Sequence, residues 1–234
     1  MYFVNWQREI SVTELNGKKV VVKRNKISRN LHDYLLVISY SILSFLLAHP
    51  SAPPELGSKM TRNEGFEMRE KLQLIGIPTP ALLSISDRLL VEEFIPGGNL
   101  YEALSNEASS SLAFSAGIIT GRLHKSGYSF IDNKSQNYLV TFSRKVLRTD
   151  LAYIQNKDSV FAKSMDIGSF LASVLAFDSK RYKAIEDAFY EGYCSVVKSR
   201  VPYLSIVLRN ILGFGLSLSM NWIRNMLQDS DKLV

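Results

Sequence analysis

Two acids and an amide at set spacings, Asp132, Asn137 and Asp150, constrain this chain more than any other feature of its sequence. Asn137 follows Asp132 by five positions and leads directly into the apolar run Tyr138-Leu139-Val140. A second extended piece, Lys145 to Leu147, ends just before Asp150, thirteen positions beyond Asn137. Two short strands folded back on each other would set Asn137 and Asp150 side by side. One amide oxygen and one carboxylate so placed suit a hard cation such as Mg²⁺, and Asp132 is left to orient or deprotonate an acceptor hydroxyl. Phosphoryl transfer from ATP asks for those groups plus a cation on the phosphates. Alone, Asp-x-x-x-x-Asn is a weak signal, because loop Asp and Asn commonly cap helices or make turns. The surrounding pattern gives it weight.

Upstream, Ile10, Val12 and Leu15 lead to Asn16-Gly17 and then to Val20-Val21-Val22-Lys23, a hairpin pattern in which both turn residues tolerate positive φ. From Asn63 to Ile75 the apolar positions Met68, Leu72 and Ile75 predict a helix closed by Gly76. A second extended pair, Leu82 to Ile85 and Leu89 to Ile95, turns at Ser86-Asp87-Arg88 and stops at Pro96-Gly97-Gly98. The remainder is largely helical: Leu112 to Leu123, Met165 to Phe177, and the stripe Ile185, Phe189, Tyr193. The expected architecture is α+β and bilobal. Residues 1–96 form a small antiparallel-sheet lobe with one main helix and an apolar insertion at about 27–60. Residues 97–200 form a mostly helical lobe carrying the Asp132 to Asn137 loop, and 201–234 an apolar helical extension.

Composition bounds the partners. A chain of 234 residues, 46% hydrophobic and 21% charged, can bury a core. Its formal charge of +6 suits a phosphate-bearing partner, but such an excess is also what a solvated surface carries. The one cysteine, Cys194, has no intrachain disulfide or metal partner, and residues 1–8 lack a secretory pattern, so an intracellular, cytoplasmic setting is expected. Tyr34 to Pro54 holds no charged residue, yet Pro50, Pro53 and Pro54 cut it short of the roughly 20 residues a span needs. With the run Asn210 to Ile223 between Arg209 and Arg224, it reads either as a membrane-surface contact or as buried helices.

The ordered fragments resemble the protein kinases: Phe130-Ile131-Asp132 to Asn137 resembles the catalytic loop, and Asp150-Leu151-Ala152 the metal-binding motif. The resemblance makes Lys23, at the end of its β-branched strand, the phosphate-binding lysine. Glu64 becomes its ion-pair partner, with Glu67 one turn away. Leu90 to Phe94 resembles the hinge, so Glu92 and Phe94 are expected to meet adenine through their backbone. Only sixteen positions separate Asp150 from Asp166, which leaves no room for a long activation segment. That spacing, with Gly76-Ile77-Pro78-Thr79-Pro80 and Phe189 to Tyr193, is most similar to the small atypical kinases, the KEOPS-complex and RIO kinases among them.

The resemblance implies an ATP- and Mg²⁺-dependent phosphotransferase acting on a protein Ser/Thr hydroxyl, or a kinase-like ATPase, with a protein substrate or complex partner. It also implies that Asp166 braces the catalytic loop. The loop expected between the first two strands, around Asn5 to Glu9, has no glycine, Phe130 stands at the usual histidine and Ala152 at the usual glycine. Three rival readings therefore stand beside the first: a pseudokinase acting as a binding module, a membrane-surface small-molecule or glycolipid kinase, and an RNA-linked ATPase in a larger complex.

Overall fold

The computed structural model describes residues 8–26, 29–106, 110–156 and 158–216. The glycine-free loop expected between the first two strands around Asn5 to Glu9 is not found there: Arg8 and Glu9 open the first strand, while residues 1–7, like those beyond 216, lie outside the described residues. Strands β1 (Arg8–Leu15) and β2 (Lys18–Asn25) pair antiparallel around Asn16-Gly17, whose φ values of 52° and 73° are the pair a tight two-residue hairpin turn requires. Strands β3 (Leu82–Ile85) and β4 (Leu89–Glu93) complete a four-stranded antiparallel sheet in the order β1-β2-β4-β3. β4 is thus central, and Lys23 lies opposite Leu90.

The one helix expected from Asn63 to Ile75 is two. α2 (Ser58–Glu64) ends at Gly65, whose extended backbone (φ −74°, ψ 177°) breaks the chain before α3 (Phe66–Leu74). Glu64 is therefore the last residue of one helix rather than the head of the next. The kink turns it inward, and Arg69 holds it by donating Nε to the Glu64 carbonyl at 3.2 Å.

The helical lobe contains α4 (Leu100–Asn106), α5 (Ser110–Lys125), α6 (Val160–Ser173), α7 (Ser179–Val197) and α8 (Leu204–Leu216). β5 (Tyr128–Ser129) pairs with β8 (Gln155–Asn156), and β6 (Tyr138–Val140) with β7 (Val146–Arg148). α5 and α7 cross with backbones nearly touching: a Cβ on Gly117 would stand 2.1 Å from the Phe189 carbonyl oxygen, and one on Gly192 2.1 Å from that of Phe114. The main core, with Leu112, Ala116, Ile119, Tyr138, Ile167, Phe170 and Phe189, lies beneath this crossing. It fixes the floor on which the β6–β7 hairpin sits.

The apolar insertion forms α1 (Arg29–Leu46). Sequence order puts it in the sheet lobe, but packing puts it against the helical one. Tyr40 meets Phe161 edge-on at 4.9 Å between ring centroids and joins a second core cluster with Ile131, Tyr153, Met165 and Leu208. Tyr153 Oη donates to Asp33 Oδ1 at 2.5 Å, so the helix is pinned to the segment just after Asp150. Among the described residues no helix is long and apolar enough to cross a membrane. The bilobal α+β fold, with its small antiparallel sheet and helical second lobe, is protein-kinase-like.

Candidate functional site

The loop carrying Asp132 is held from below by a buried acid. Asp166, fully enclosed on α6, accepts the backbone N–H of Phe130 at 2.7 Å through Oδ2 and that of Ile131 at 2.6 Å through Oδ1. Oδ2 also meets His124 Nε2 at 2.9 Å, and His124 Nδ1 meets Tyr193 Oη at 3.0 Å. Asn133 adds a bond from Nδ2 to the Asp166 carbonyl at 3.3 Å and receives one from Tyr138 Oη at 2.6 Å. This brace holds Ile131 at φ 68°, a left-handed conformation costly for a β-branched residue. The turn so forced presents Asp132, the next residue. His124 is thus a structural link at a helix end.

Asp132, Asn137 and Asp150 are brought together, and a residue not singled out from the sequence ties them. Arg148, 1% exposed and sandwiched 4.2 Å from the Phe130 ring centroid and 5.0 Å from that of Tyr138, spends its guanidinium on backbone. Nη1 donates to the Asn137 carbonyl at 3.0 Å, and Nη2 to the carbonyls of Asp132 at 3.0 Å and Asp150 at 3.3 Å. One rigid fork therefore sets the spacing of all three candidates. Asn137 Nδ2 donates to the Asp132 carbonyl at 2.8 Å, which leaves its amide oxygen as the atom suited to a cation. Lys134 Nζ lies 2.8 Å from Asp132 Oδ1. Burial disfavours the Lys134 ammonium, but the Asp132 carboxylate outweighs this and holds its pKa above the usual lysine value.

On the facing sheet lobe the expected Lys23–Glu64 ion pair is not formed. Lys23 donates to Thr149 Oγ1 at 2.7 Å and pairs with Glu92, to which Thr149 also donates at 3.1 Å. Glu64 instead receives Nη1 and Nη2 of Arg8, both at 3.1 Å from its Oε1, and the Leu151 N–H at 3.2 Å. Arg8 Nη1 reaches on to Asp150 Oδ1 at 3.5 Å. Arg69 completes the set, 3.0 Å from Glu92 Oε2 and 3.7 Å from Glu64 Oε2. Three cations and three carboxylates thus interlock. Burial alone would raise the Asp150 pKa, yet Arg8, Lys23 and Arg148 bring it down to about 2 from an ordinary 3.8. Burial likewise opposes the Glu92 carboxylate, and Lys23 and Arg69 overcome it and lower its pKa.

Glu92 was expected at the hinge. It lies within β4, its backbone between β2 and β3, and its side chain is 1% exposed in the ionic network. Two charges in reach claimed the carboxylate, so it turns to the core. Phe94, just past the strand, is half-buried, with Lys19 Nζ 6.0 Å from its ring centroid. On the sheet face shared with Lys23, the register places Ile10, Val12 and Val21. Ile10 and Val12 are each 53% exposed, an apolar surface left uncovered beside the charged network. A cleft of about 930 Å³ lies elsewhere, between α3, α5 and the β6–β7 hairpin, and none of Lys23, Asp132, Asn137 or Asp150 lines it. Its walls mix apolar residues with Arg122, Arg144 and Lys145, and it holds no candidate general base among the residues named above.

The donor set would suit Mg²⁺ shared with a phosphate-bearing ligand. Among the described residues no three His, Cys, Asp or Glu side chains cluster as for a protein-only metal cage. Mg²⁺ typically takes one or two carboxylates and leaves the rest to phosphates and water. Asp150 and the Asn137 amide oxygen supply that minimum, with Arg8 as competing positive charge at Asp150. Glu64 Oε2, buried and without a hydrogen-bond donor, is an acceptor left open in the same network.

No family model matches the chain. It is similar to the probable bifunctional tRNA threonylcarbamoyladenosine biosynthesis proteins of two archaea. For Methanocaldococcus jannaschii the identity is 23% over 205 residues, 84% of this chain and 37% of that protein. For Methanocorpusculum labreanum it is 25% over 120 residues, 51% of this chain and 22% of that protein. A third relative is the probable serine/threonine-protein kinase BUD32 homolog of Archaeoglobus fulgidus, 29% identical over 119 residues, 50% of this chain and 57% of that protein. The chain spans less than two thirds of the length of each. At low identity, these are relatives of the atypical protein-kinase-like type that the motifs resemble.

Proposed function

We propose that this chain is an atypical kinase-like ATPase or phosphotransferase, with a protein serine or threonine hydroxyl as preferred acceptor. The observation that carries the reading is the Arg148 fork, which holds Asp132, Asn137 and Asp150 at one edge of the interlobe network. The apolar face of the exposed Ile10 and Val12 and the half-buried Val21, with Phe94 beside it, suits a flat purine. Asn137 and Asp150 would hold Mg²⁺, which supplies charge neutralisation on the phosphates.

The chain's own groups do the rest. Asp132 accepts the proton of the attacking hydroxyl as its oxygen bonds to the γ-phosphorus; the bond from that phosphorus to the bridging oxygen breaks, and ADP leaves. Lys134, beside Asp132, would steady the charge that builds on the phosphoryl oxygens as they pass. Lys23 and Arg8 are the cations nearest the phosphate path, and each would exchange part of its carboxylate contact for a phosphate oxygen. A role in tRNA modification is the wider setting suggested by the names of the two bifunctional relatives; a cytoplasmic location and a protein partner are part of the same proposal.

The test is phosphate release from Mg-ATP by the purified chain and its Asp150→Ala and Asp132→Ala variants. Loss of roughly a hundredfold or more is expected in each, in Asp132→Ala from removal of the positioned base and in Asp150→Ala from removal of the Mg²⁺ ligand. Equal, slow release by all three would overturn the assignment. The engagement of Asp150 by Arg8 favours one second reading, a binding module that takes nucleotide without turning it over. Thermal stabilisation by ATP that is indifferent to Mg²⁺, together with no phosphate release, selects it.

A further inference from the structure

α1 leaves its outer face bare. Leu31, Tyr34, Leu35, Ile38, Ile42, Phe45 and Leu46 follow helical spacing along one side, and each is between 52% (Ile38) and 78% (Phe45) exposed. The opposite side is already spent on the protein's own core through Asp33, Tyr40 and Ser44. The bare face amounts to on the order of 800 Å², above the 300–600 Å² typical of the largest apolar patch on a monomer. It matches the ~800 Å² each partner contributes to a standard specific interface.

We propose that this face is the interface of a homodimer, α1 packing antiparallel on α1 of a second copy across a two-fold axis. A two-fold interface must be self-complementary, since each residue meets its counterpart's surroundings in reverse order. The stripe meets that condition. An axis between Ile38 and Ser39 sets Leu31 opposite Leu46 and Leu35 opposite Ile42, apolar on apolar, with Ile38 opposite Ser39 at the centre of a seam of about 22 Å. Ser39, exposed at the centre, is small enough to let the two helices approach.

Charge argues for the same occupant. No Lys or Arg lies between Arg29 and Lys59, so α1 beyond its first residue carries no cation of the kind that anchors an amphipathic helix to anionic lipid. Arg29 itself is paired with Asp33 at 3.5 Å. Self-association brings no like charges together along the stripe.

Sedimentation velocity of the full chain between about 1 and 50 µM tests the proposal, the range in which interfaces of this size begin to be populated. A dimer is expected, reduced to monomer by the paired substitution Leu35→Glu and Ile42→Glu. Both sites are exposed, so the far-ultraviolet circular dichroism and melting transition of the variant should be retained. In a Cys194→Ser background, Ser39→Cys should cross-link to itself under mild oxidation. Leu31→Cys should not, because its counterpart lies a helix length away. A monomer throughout the range overturns the proposal, as does a dimer insensitive to the paired substitution. So does a monomer that floats with neutral phosphatidylcholine vesicles, which assigns the face to lipid. A monomer that dimerises only after removal of residues 217–234 assigns it to the chain's own terminus and equally overturns it.

Discussion

Arg8 Nη1 lies 3.5 Å from Asp150 Oδ1 while the same guanidinium grips Glu64 Oε1 at 3.1 Å, so the first strand of the sheet carries a cation onto the carboxylate proposed to bind metal. Burial disfavours the charged Arg8, but Glu64 and Asp150 together raise its pKa and keep it a permanent cation. A fixed positive charge at that distance opposes a second one. Arg8→Gln is therefore expected to lower the Mg²⁺ concentration needed for half of the ATP-induced thermal shift by about tenfold. It should also cost about 3 kcal/mol of unfolding free energy, because Glu64 loses its principal partner while remaining buried. A Mg²⁺ midpoint identical to wild type would show that Arg8 does not compete for the site.

The hairpin that places Arg8 was legible, and its consequence was not. Asn16-Gly17 dictates the register, and the register sets Arg8 opposite Asn25, on the face shared with Lys23. What no local pattern shows is the distance across the fold: Arg8 and Asp150 are 142 positions apart in the chain. The Asp132, Asn137 and Asp150 grouping was readable because each falls at the end of a short strand or loop with a characteristic spacing. The Lys23 pairing was misjudged because an ammonium goes to the nearest well-placed carboxylate. Glu92, on the neighbouring strand and the same sheet face, is nearer than a helix end displaced by the Gly65 break. Arg148 carried a faint signal, two positions before Asp150 in an otherwise buried strand, where an arginine needs acceptors. Lys134, two positions after Asp132, could have been noticed by the same reasoning. The site of α1 was hidden for a different reason: an apolar helix reports that it will be covered, and not by what.

Acid should act through Asp150. Its pKa in the folded chain is about 2 against an ordinary 3.8, so the ionised form favours folding. The sign follows: the contribution is complete above about pH 4 and disappears as pH falls through 2. Its size is on the order of 2 kcal/mol. Urea unfolding followed from pH 5 down to pH 2 should show this loss in wild type, and Asp150→Asn should show a correspondingly shallower dependence. Parallel curves for the two proteins would exclude Asp150 as the responsible group.

Arg148 is expected to be irreplaceable by lysine. An ammonium in its place can remain over Phe130 and Tyr138, but it cannot reach the carbonyls of Asp132, Asn137 and Asp150 together. Each buried carbonyl left unpaired costs about 1–3 kcal/mol. Arg148→Lys should therefore melt several degrees lower yet stay folded. Its phosphate release should fall about a hundredfold, because a small displacement of positioned groups is enough to do this. Comparison of ATP-induced thermal shift with turnover separates the effects: binding largely kept and turnover lost marks a positioning residue. Equal loss of both, or of neither, contradicts that role.

The crossing of α5 and α7 offers a test of the floor beneath the site. Gly117 lies against Phe189 with no room for a methyl group, since a Cβ there would come within 2.1 Å of a backbone oxygen that belongs to a helix and cannot turn aside. Gly117→Ala must push the two helices apart, and the strain reaches Phe170, stacked on Phe189 at 4.2 Å between centroids, and then Tyr138, whose ring lies 6.0 Å from that of Phe170. Overpacking of this kind costs about 1–3 kcal/mol in a core that can yield and more in one that cannot. Two facing helix backbones yield little, so a loss at or above the upper figure is expected in chemical denaturation. Because Tyr138 begins the hairpin that carries Asn137, turnover should fall in the same variant at temperatures where it remains folded. Ser115→Ala, two residues earlier on α5, where the half-buried hydroxyl bonds back to the Ser111 carbonyl within the same helix, is the matched control and should change neither quantity measurably.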